Sequence, residues 1–241
     1  MTVSNETALL PENGRVLVIM AKAPRLGVVK TRLAPSLSPA EMSAFYCCLL
    51  EDTLTLARSL GDVEIAVMCP ESDASQLAEL VGHNATIVAQ RGEGLAAALT
   101  SVFTHFERNR RRRIIAFNSD SPHLPRSVLE EAFQTLLAHD VVVGPTNDGG
   151  YYLVGAKASH STLFASDGMG TSSALERLLS RARALDLSVG FADPFWDIDV
   201  TDDLARLAAE LRLAPARAPH TARWLKEWEL AARLRTGTGE M

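Results

Sequence analysis

The sequence predicts an α/β three-layer sandwich around a mainly parallel, mixed sheet. Short apolar runs alternate with helical periodicities along most of the chain, and every polar cluster suited to chemistry directly follows one of those runs. The runs are residues 16–20, 63–69, 85–89, 113–118, 140–144, 151–155 and 188–191. Between them, helical spacing covers roughly 39–60, 72–81, 94–109, 125–139 and 171–185. Short runs that are apolar throughout are the pattern of strands covered on both faces, and helices between them imply parallel crossovers. In such sheets a ligand sits beyond the carboxyl ends of the strands.

The first strand, RVLVIM, opens into AKAPRLGVVKTRLAP. This loop carries Gly27 among the cations Lys22, Arg25, Lys30 and Arg32. Glycine lets backbone approach a polyphosphate, and Lys and Arg neutralise its oxygens as point charge and fork. The next element is a helix beginning near Pro39. Further on, QRGEGLAAAL leads into the helix from Gly94, and its Gly92 is a candidate for nucleotide contact. The Gly-x-Gly there is too short to be a dinucleotide fingerprint.

The strand RRIIAFN runs into SDSPHLP, where Asp120 is a natural Mg²⁺ ligand facing a phosphate loop. After the strand ending at Gly144, Asn147, Asp148, Gly149 and Gly150 turn the chain, as a plain hairpin turn would, and YYLVG goes back into the sheet. Asp148, Gly149 and Gly150 there are candidates for contacting the transferred group. The segment DGMGTSSALERLL makes Thr171 and Ser172 a candidate anion site at a helix start. In PFWDIDVTDDLARL, Thr201 is suited to cap a helix whose first turn holds Asp202 and Asp203. Asp197 and Asp199 precede it on an extended segment, and spacing leaves open which one joins Asp120.

The chain reads as a single nucleotide-binding domain over 1–213, followed by a linker and C-terminal helix over 214–241. The linker is APARAPH, and Trp224, Leu225, Trp228, Ala231 and Ala232 form one stripe on the helix. Such a stripe docks on the parent domain or on a second subunit of a homodimer. The Arg110–Arg113 run reads as a solvated helix end.

Composition narrows the partners. The 241 residues carry a net charge of -5, with 47% hydrophobic and 22% charged residues, which argues against nucleic acid as a main partner. No apolar run reaches membrane-spanning length and no signal peptide is visible, so the expectation is a cytoplasmic protein without membrane contact. The three cysteines, Cys47, Cys48 and Cys69, read as small core residues.

Together these motifs resemble a bacterial family of GT-A-like transferases. Its members read AKAP-x-x-G-x-x-KTRL, SDCPDL, GP-x-x-DGGYYLIG, GTS and DVDTPEDL. The present chain has AKAPRLGVVKTRL, SDSPHL, GPTNDGGYYLVG, GTS and DIDVTDDL in the same order, over residues 16–207. KTRLAPSLSPAEM also looks like the guanylyltransferase that activates phospholactate. The resemblance implies a GT-A, Rossmann-like fold, with Lys22, Arg25, Lys30 and Arg32 on the nucleotide-phosphate loop. It implies Asp120 and Asp199 as ligands of Mg²⁺ or Mn²⁺. Ser121, His123 and Val200 depart from the usual Cys, Asp and Thr, and His123 puts acceptor specificity in question.

The implied activity is a metal-dependent transferase acting on a nucleotide and a small acceptor. Nucleotidyl transfer from an NTP, with Lys30 and Asp120 carrying the chemistry, fits the cation-rich loop best. Glycosyl transfer from an NDP-sugar, with Asp148 as base, is the alternative. A non-catalytic nucleotide-binding module is a third reading, and it would be expected to lack Asp120 or Lys30.

Overall fold

Strand β1 (Arg15–Met20) takes a central place in the sheet, and its sequence explains why. Val16 and Val18 serve one face and Leu17 and Ile19 the other, all four fully buried, as the two-residue side-chain period requires. The computed structural model describes residues 14–108, 113–160, 162–164 and 171–237, without the side chains of Asn84 and of residues 231–237. The other strands are β2 (Val63–Cys69), β3 (Thr86–Ala89), β4 (Arg113–Asn118), β5 (Val141–Pro145), β6 (Tyr151–Ala156) and β7 (Val189–Phe191). They form a seven-stranded sheet in the order β3-β2-β1-β4-β6-β5-β7. β1 pairs in parallel with β2 and β4, β2 with β3, and β5 with β7. β6 alone runs against its neighbours β4 and β5. This is the mixed, mostly parallel sheet that the sequence predicts.

Helices α1 (Pro39–Arg58), α2 (Ala74–Val81) and α4 (Arg126–Ala138) cover the face carrying Leu17 and Ile19. The opposite face is covered by α3 (Gly94–Arg108) and α5 (Ala174–Ala184), which pack Leu99, Phe103 and Leu178 against Val16 and Val18. A third apolar cluster joins α1 to α6 (Thr201–Leu213) and α7 (Pro219–Gly237) through Phe45, Leu49, Trp196, Leu207 and Leu225. Burying each such side chain is worth about 1.5–3 kcal/mol.

The tail helix docks in cis. Its tryptophan stripe lies along α1, with the Trp224 ring 4.8 Å from Phe45 and stacked at 6.1 Å on Trp228. The start of α7 is held by a residue far away in sequence. The buried Asp52 carboxylate accepts from the backbone N–H of His220 (3.1 Å) and of Thr221 (2.7 Å). It therefore satisfies donors that no side chain of α7 caps. The expected linker contains a short 3-10 turn, Pro215–Arg217, and the helix begins at Pro219, ahead of the expected Thr221. The side chains of Ala231 and Ala232, and residues 110–112 of the arginine run, lie outside what is described.

Two helix starts differ from expectation. Thr201 is the first helical residue of α6 and not its cap. Asp203 instead reaches back to the backbone N–H of Asp199 and Val200, both at 2.8 Å. The Thr201 hydroxyl is occupied with Ser36 at 3.1 Å. The segment predicted as a helix from residue 72 begins as a 3-10 turn, Glu71–Asp73, because Asp73 is turned toward the first loop.

Candidate functional site

The loop after β1 is fixed by two groups from neighbouring elements. Asp73, 1% exposed in the 3-10 turn after β2, accepts from the backbone N–H of Ala23 (2.8 Å) and forms a close ion pair with Arg25. Tyr46 on α1 accepts from the backbone N–H of Lys22 (3.1 Å) and shares a hydrogen bond with Ser119 (3.0 Å). Burial, then the Asp120 charge, raises the Tyr46 phenol, so it stays protonated. The glycine-and-cation loop is thus held at its backbone before any ligand arrives.

Lys30 sits in the left-handed region (φ 53) between buried Val29 and the turn Thr31–Leu33. Its side chain, 5% exposed, runs beneath the loop toward the carboxyl end of β4. The ammonium lies 2.9 Å from Asp120 Oδ1 and 3.7 Å from Asp199 Oδ1, and donates to the Ile198 carbonyl. Arg32, largely exposed, reaches the other oxygen of Asp199 at 3.1 Å.

Asp197 completes this acidic corner. Burial, with Asp199 and Asp120 beside it, pushes its carboxyl up to about 6. Residues 197 and 199 are two apart and so share a side of their segment, which pairs with no strand. Isolated bonds such as Ile198 N–H to the Asp120 carbonyl (3.2 Å) shape it instead, and both carboxylates line the same cavity.

Asp120 and Asp199 therefore converge on one small volume now spanned by an ammonium. Their hard oxygen donors fit Mg²⁺ or Mn²⁺, which takes one or two protein carboxylates and leaves positions for phosphate oxygens and water. Among the described residues no group of three or more His, Cys, Asp or Glu side chains is preassembled around a point.

The turn between β5 and β6 lies across the cavity. Asp148 accepts from the Thr146 hydroxyl and from the backbone N–H of Gly150 (3.1 Å), and these bonds, the hydroxyl first, hold its carboxyl below the usual carboxylate range. Gly149 has φ +86, and a Cβ there would stand 1.9 Å from the Ser172 carbonyl. Only glycine allows this approach of the turn to the residues leading into α5.

These elements enclose a cavity of about 870 Å³ over the carboxyl ends of β1, β2 and β4. Lys22, Lys30, Arg32, Asp120, Asp148, Gly150, Thr171 and Asp199 line it. Arg25, Gly27, Gly92, Gly149 and Ser172 do not. Arg25 is committed to Asp73, while Gly149 and Ser172 pack on each other. Residues 165–170, which precede Thr171, lie outside what is described.

His123, which stands where the resembling family has an Asp, does not line the cavity. It is fully buried between Trp196 (4.3 Å) and Phe195 (4.8 Å), away from the cavity, with neither ring nitrogen hydrogen-bonded. Sequence reading did not single out Tyr46, Asp73 or Ser119. The polar cluster after β2, CPESD, follows a strand end like the other site segments and was the available signal for Asp73.

The fold is a GT-A-like, Rossmann-like α/β three-layer sandwich. Residues 53–171 match the family DUF2064, described as an uncharacterized protein conserved in bacteria. A phosphoenolpyruvate guanylyltransferase from Mycobacterium marinum is 29% identical over 208 residues, 84% of this chain and 91% of that protein. A 2-phospho-L-lactate guanylyltransferase from Methanothermobacter thermautotrophicus is 27% identical over 187 residues, 74% and 78% of the two chains. Among solved structures, one from Desulfovibrio desulfuricans described as a nucleotide-diphospho-sugar transferase superposes with TM-score 0.84. It is 23% identical and covers 92% of this chain and 98% of its own. Fold and relatives together support a nucleotide-binding transferase activity. No helix among the described residues is long and apolar enough to cross a membrane.

Proposed function

We propose that this chain transfers a nucleotidyl group from a nucleoside triphosphate to a small phosphorylated acceptor. A phosphate oxygen of the acceptor attacks the α-phosphorus. The new P–O bond forms as the bond to the β-phosphate bridge breaks, and pyrophosphate leaves with its electrons. The observation that carries this reading is the convergence of Lys22, Lys30 and Arg32 with Asp120 and Asp199 at the strand ends of one cavity. Such a reaction asks the protein mainly for positioning and charge neutralisation. The two relatives named above as guanylyltransferases act, by their names, on phosphorylated carboxylic acids, and an acceptor of that class fits the same cavity.

Asp120 and Asp199 would hold Mg²⁺ or Mn²⁺, which supplies charge neutralisation of the phosphates when bound. Lys22 and Arg32 would face the phosphate chain, and the loop backbone held by Asp73 and Tyr46 would keep them aimed. Lys30 would keep the carboxylates apart until the substrate brings its own counter-charge.

Glycosyl transfer remains the competing reading, with Asp148 as base. The hydrogen bonds that Asp148 accepts from Thr146 and Gly150 make it a weak base, which favours nucleotidyl transfer. The test is incubation with each NTP and each NDP-sugar, with Mg²⁺ and phosphorylated acceptors. Pyrophosphate release is expected, and Asp120→Ala should reduce it by about a hundredfold or more, the scale of losing a charge-stabilising group at the reacting centre. Release of NDP from a sugar nucleotide, without pyrophosphate, would overturn the proposal.

A further inference from the structure

Two hydroxyls meet on the cavity wall, that of Tyr46 from α1 and that of Ser119 just past β4. Both residues line the cavity and both are only 4% exposed. Their hydrogens can be counted. Each hydroxyl carries one, and the 3.0 Å bond between the two oxygens uses one. Among the described residues the only other bond to either side chain comes inward, from the backbone N–H of Lys22 to the Tyr46 oxygen at 3.1 Å. One hydroxyl hydrogen is therefore left without a protein acceptor.

The chemistry of the two oxygens decides which one. A phenol oxygen shares its lone pair with the ring and accepts poorly, and Tyr46 already accepts from Lys22. Accepting a second time is the weaker arrangement, so Tyr46 donates to the alkyl hydroxyl of Ser119. Bonds aligned head to tail in this way also polarise one another. The run goes from Lys22 N–H through Tyr46 to Ser119, and the free hydrogen is on Ser119 Oγ, in the residue that precedes Asp120.

The cations near that point are already engaged. Lys30 lies 2.9 Å from Asp120, and Arg32 lies 3.1 Å from Asp199. An uncharged donor is not drawn off by these carboxylates as a cation is, so its hydrogen stays available to another oxygen. A buried donor costs free energy until some oxygen meets it. A phosphate chain laid between the Lys22 loop and Asp120 brings such an oxygen, with a charge that strengthens the bond.

We propose that Ser119 donates its hydroxyl hydrogen to a non-bridging oxygen of the nucleotide's phosphate chain. Tyr46 is the positioning residue that points this hydrogen and ties it to the Lys22 backbone. The proposal rests on the nucleotide reading above, and its test separates the two.

The test is titration calorimetry of the full chain with Mg²⁺ and no acceptor, using inorganic tripolyphosphate, ATP, CTP, GTP and UTP. Ser119→Ala should weaken every one of these ligands that the unaltered chain binds. The factor should be similar for all of them, on the order of 10- to 100-fold, the size of a hydrogen bond to a charged acceptor. Tyr46→Phe should weaken the same ligands. The double variant should lose well short of the product of the two single losses, because Tyr46 acts through Ser119. Without ligand, the melting temperature of Ser119→Ala should fall by no more than roughly 4 °C in a chain of this length. Unchanged affinities in Ser119→Ala would overturn the proposal and leave the nucleotide reading standing. So would a loss confined to one nucleobase, or single losses that multiply in the double variant. A chain that bound none of the five ligands would overturn both.

Discussion

Replacing His123 by leucine tests the aromatic pocket between β4 and α6. Burial, with Arg206 and Arg217 nearby, pushes the imidazole down from 6.5 to about 3. The native chain therefore keeps His123 neutral at any ordinary pH, whereas the unfolded chain protonates it below 6.5. A group depressed in the native state costs nothing above its unfolded value, and stability falls as the pH drops through 6.5 toward 3. At pH 5 the loss from this residue is about 2 kcal/mol, from 1.36 kcal/mol per pH unit over the interval below 6.5. At pH 7.5 it is close to nil. His123→Leu abolishes the titration and also removes two ring nitrogens that have no hydrogen-bond partner. Urea unfolding followed by tryptophan fluorescence at pH 7.5 and pH 5 reads the difference. Between those two values the variant should lose about 2 kcal/mol less stability than the unaltered chain. Equal pH dependence in both would refute the claim that the native pocket excludes the proton.

Asp52→Ala should lower stability by about 1–2 kcal/mol, since it strips the start of α7 of its acceptor. Calorimetric melting checks this, and an unchanged melting temperature would show that the interhelical cap contributes nothing. Lys30→Met leaves Asp120, Asp197 and Asp199 without their ammonium. Its melting temperature should fall in chelator and rise more steeply with Mn²⁺ than that of the unaltered chain. An equal Mn²⁺ response in the two chains would count against a cation site at those carboxylates.

The sheet was legible because strands covered on both faces must be apolar at every position, and RVLVIM and RIIAFN announce that directly. The return of β6 was readable from the Asp148–Gly149–Gly150 turn for a similarly local reason. The destination of Lys30 was not readable. Its partner carbonyl, Ile198, lies 168 residues away, and no local pattern marks such a meeting. Asp197 and Asp199, two residues apart, share a side, so spacing alone could not choose between them. His123 followed a site aspartate and so suggested chemistry. The turn carries it beneath the surface instead, where Trp196 and Phe195 receive it.

The long reach of Lys30 to Ile198, and of Asp52 to Thr221, also orders events during synthesis. A nascent chain that ends before residue 198 has every cation of the first loop but not the backbone oxygen that receives the ammonium. One that ends before residue 221 carries a carboxylate on α1 with no helix start to meet it. Loop-closure entropy for contacts this distant has to be overcome before they stabilise anything. Folding of the site is therefore expected to be late and slow, after the ribosome has released almost the whole described chain. Until then the early segments would be exposed to chaperones as incomplete layers, so stalled translation of the last two helices should yield an insoluble or degraded product.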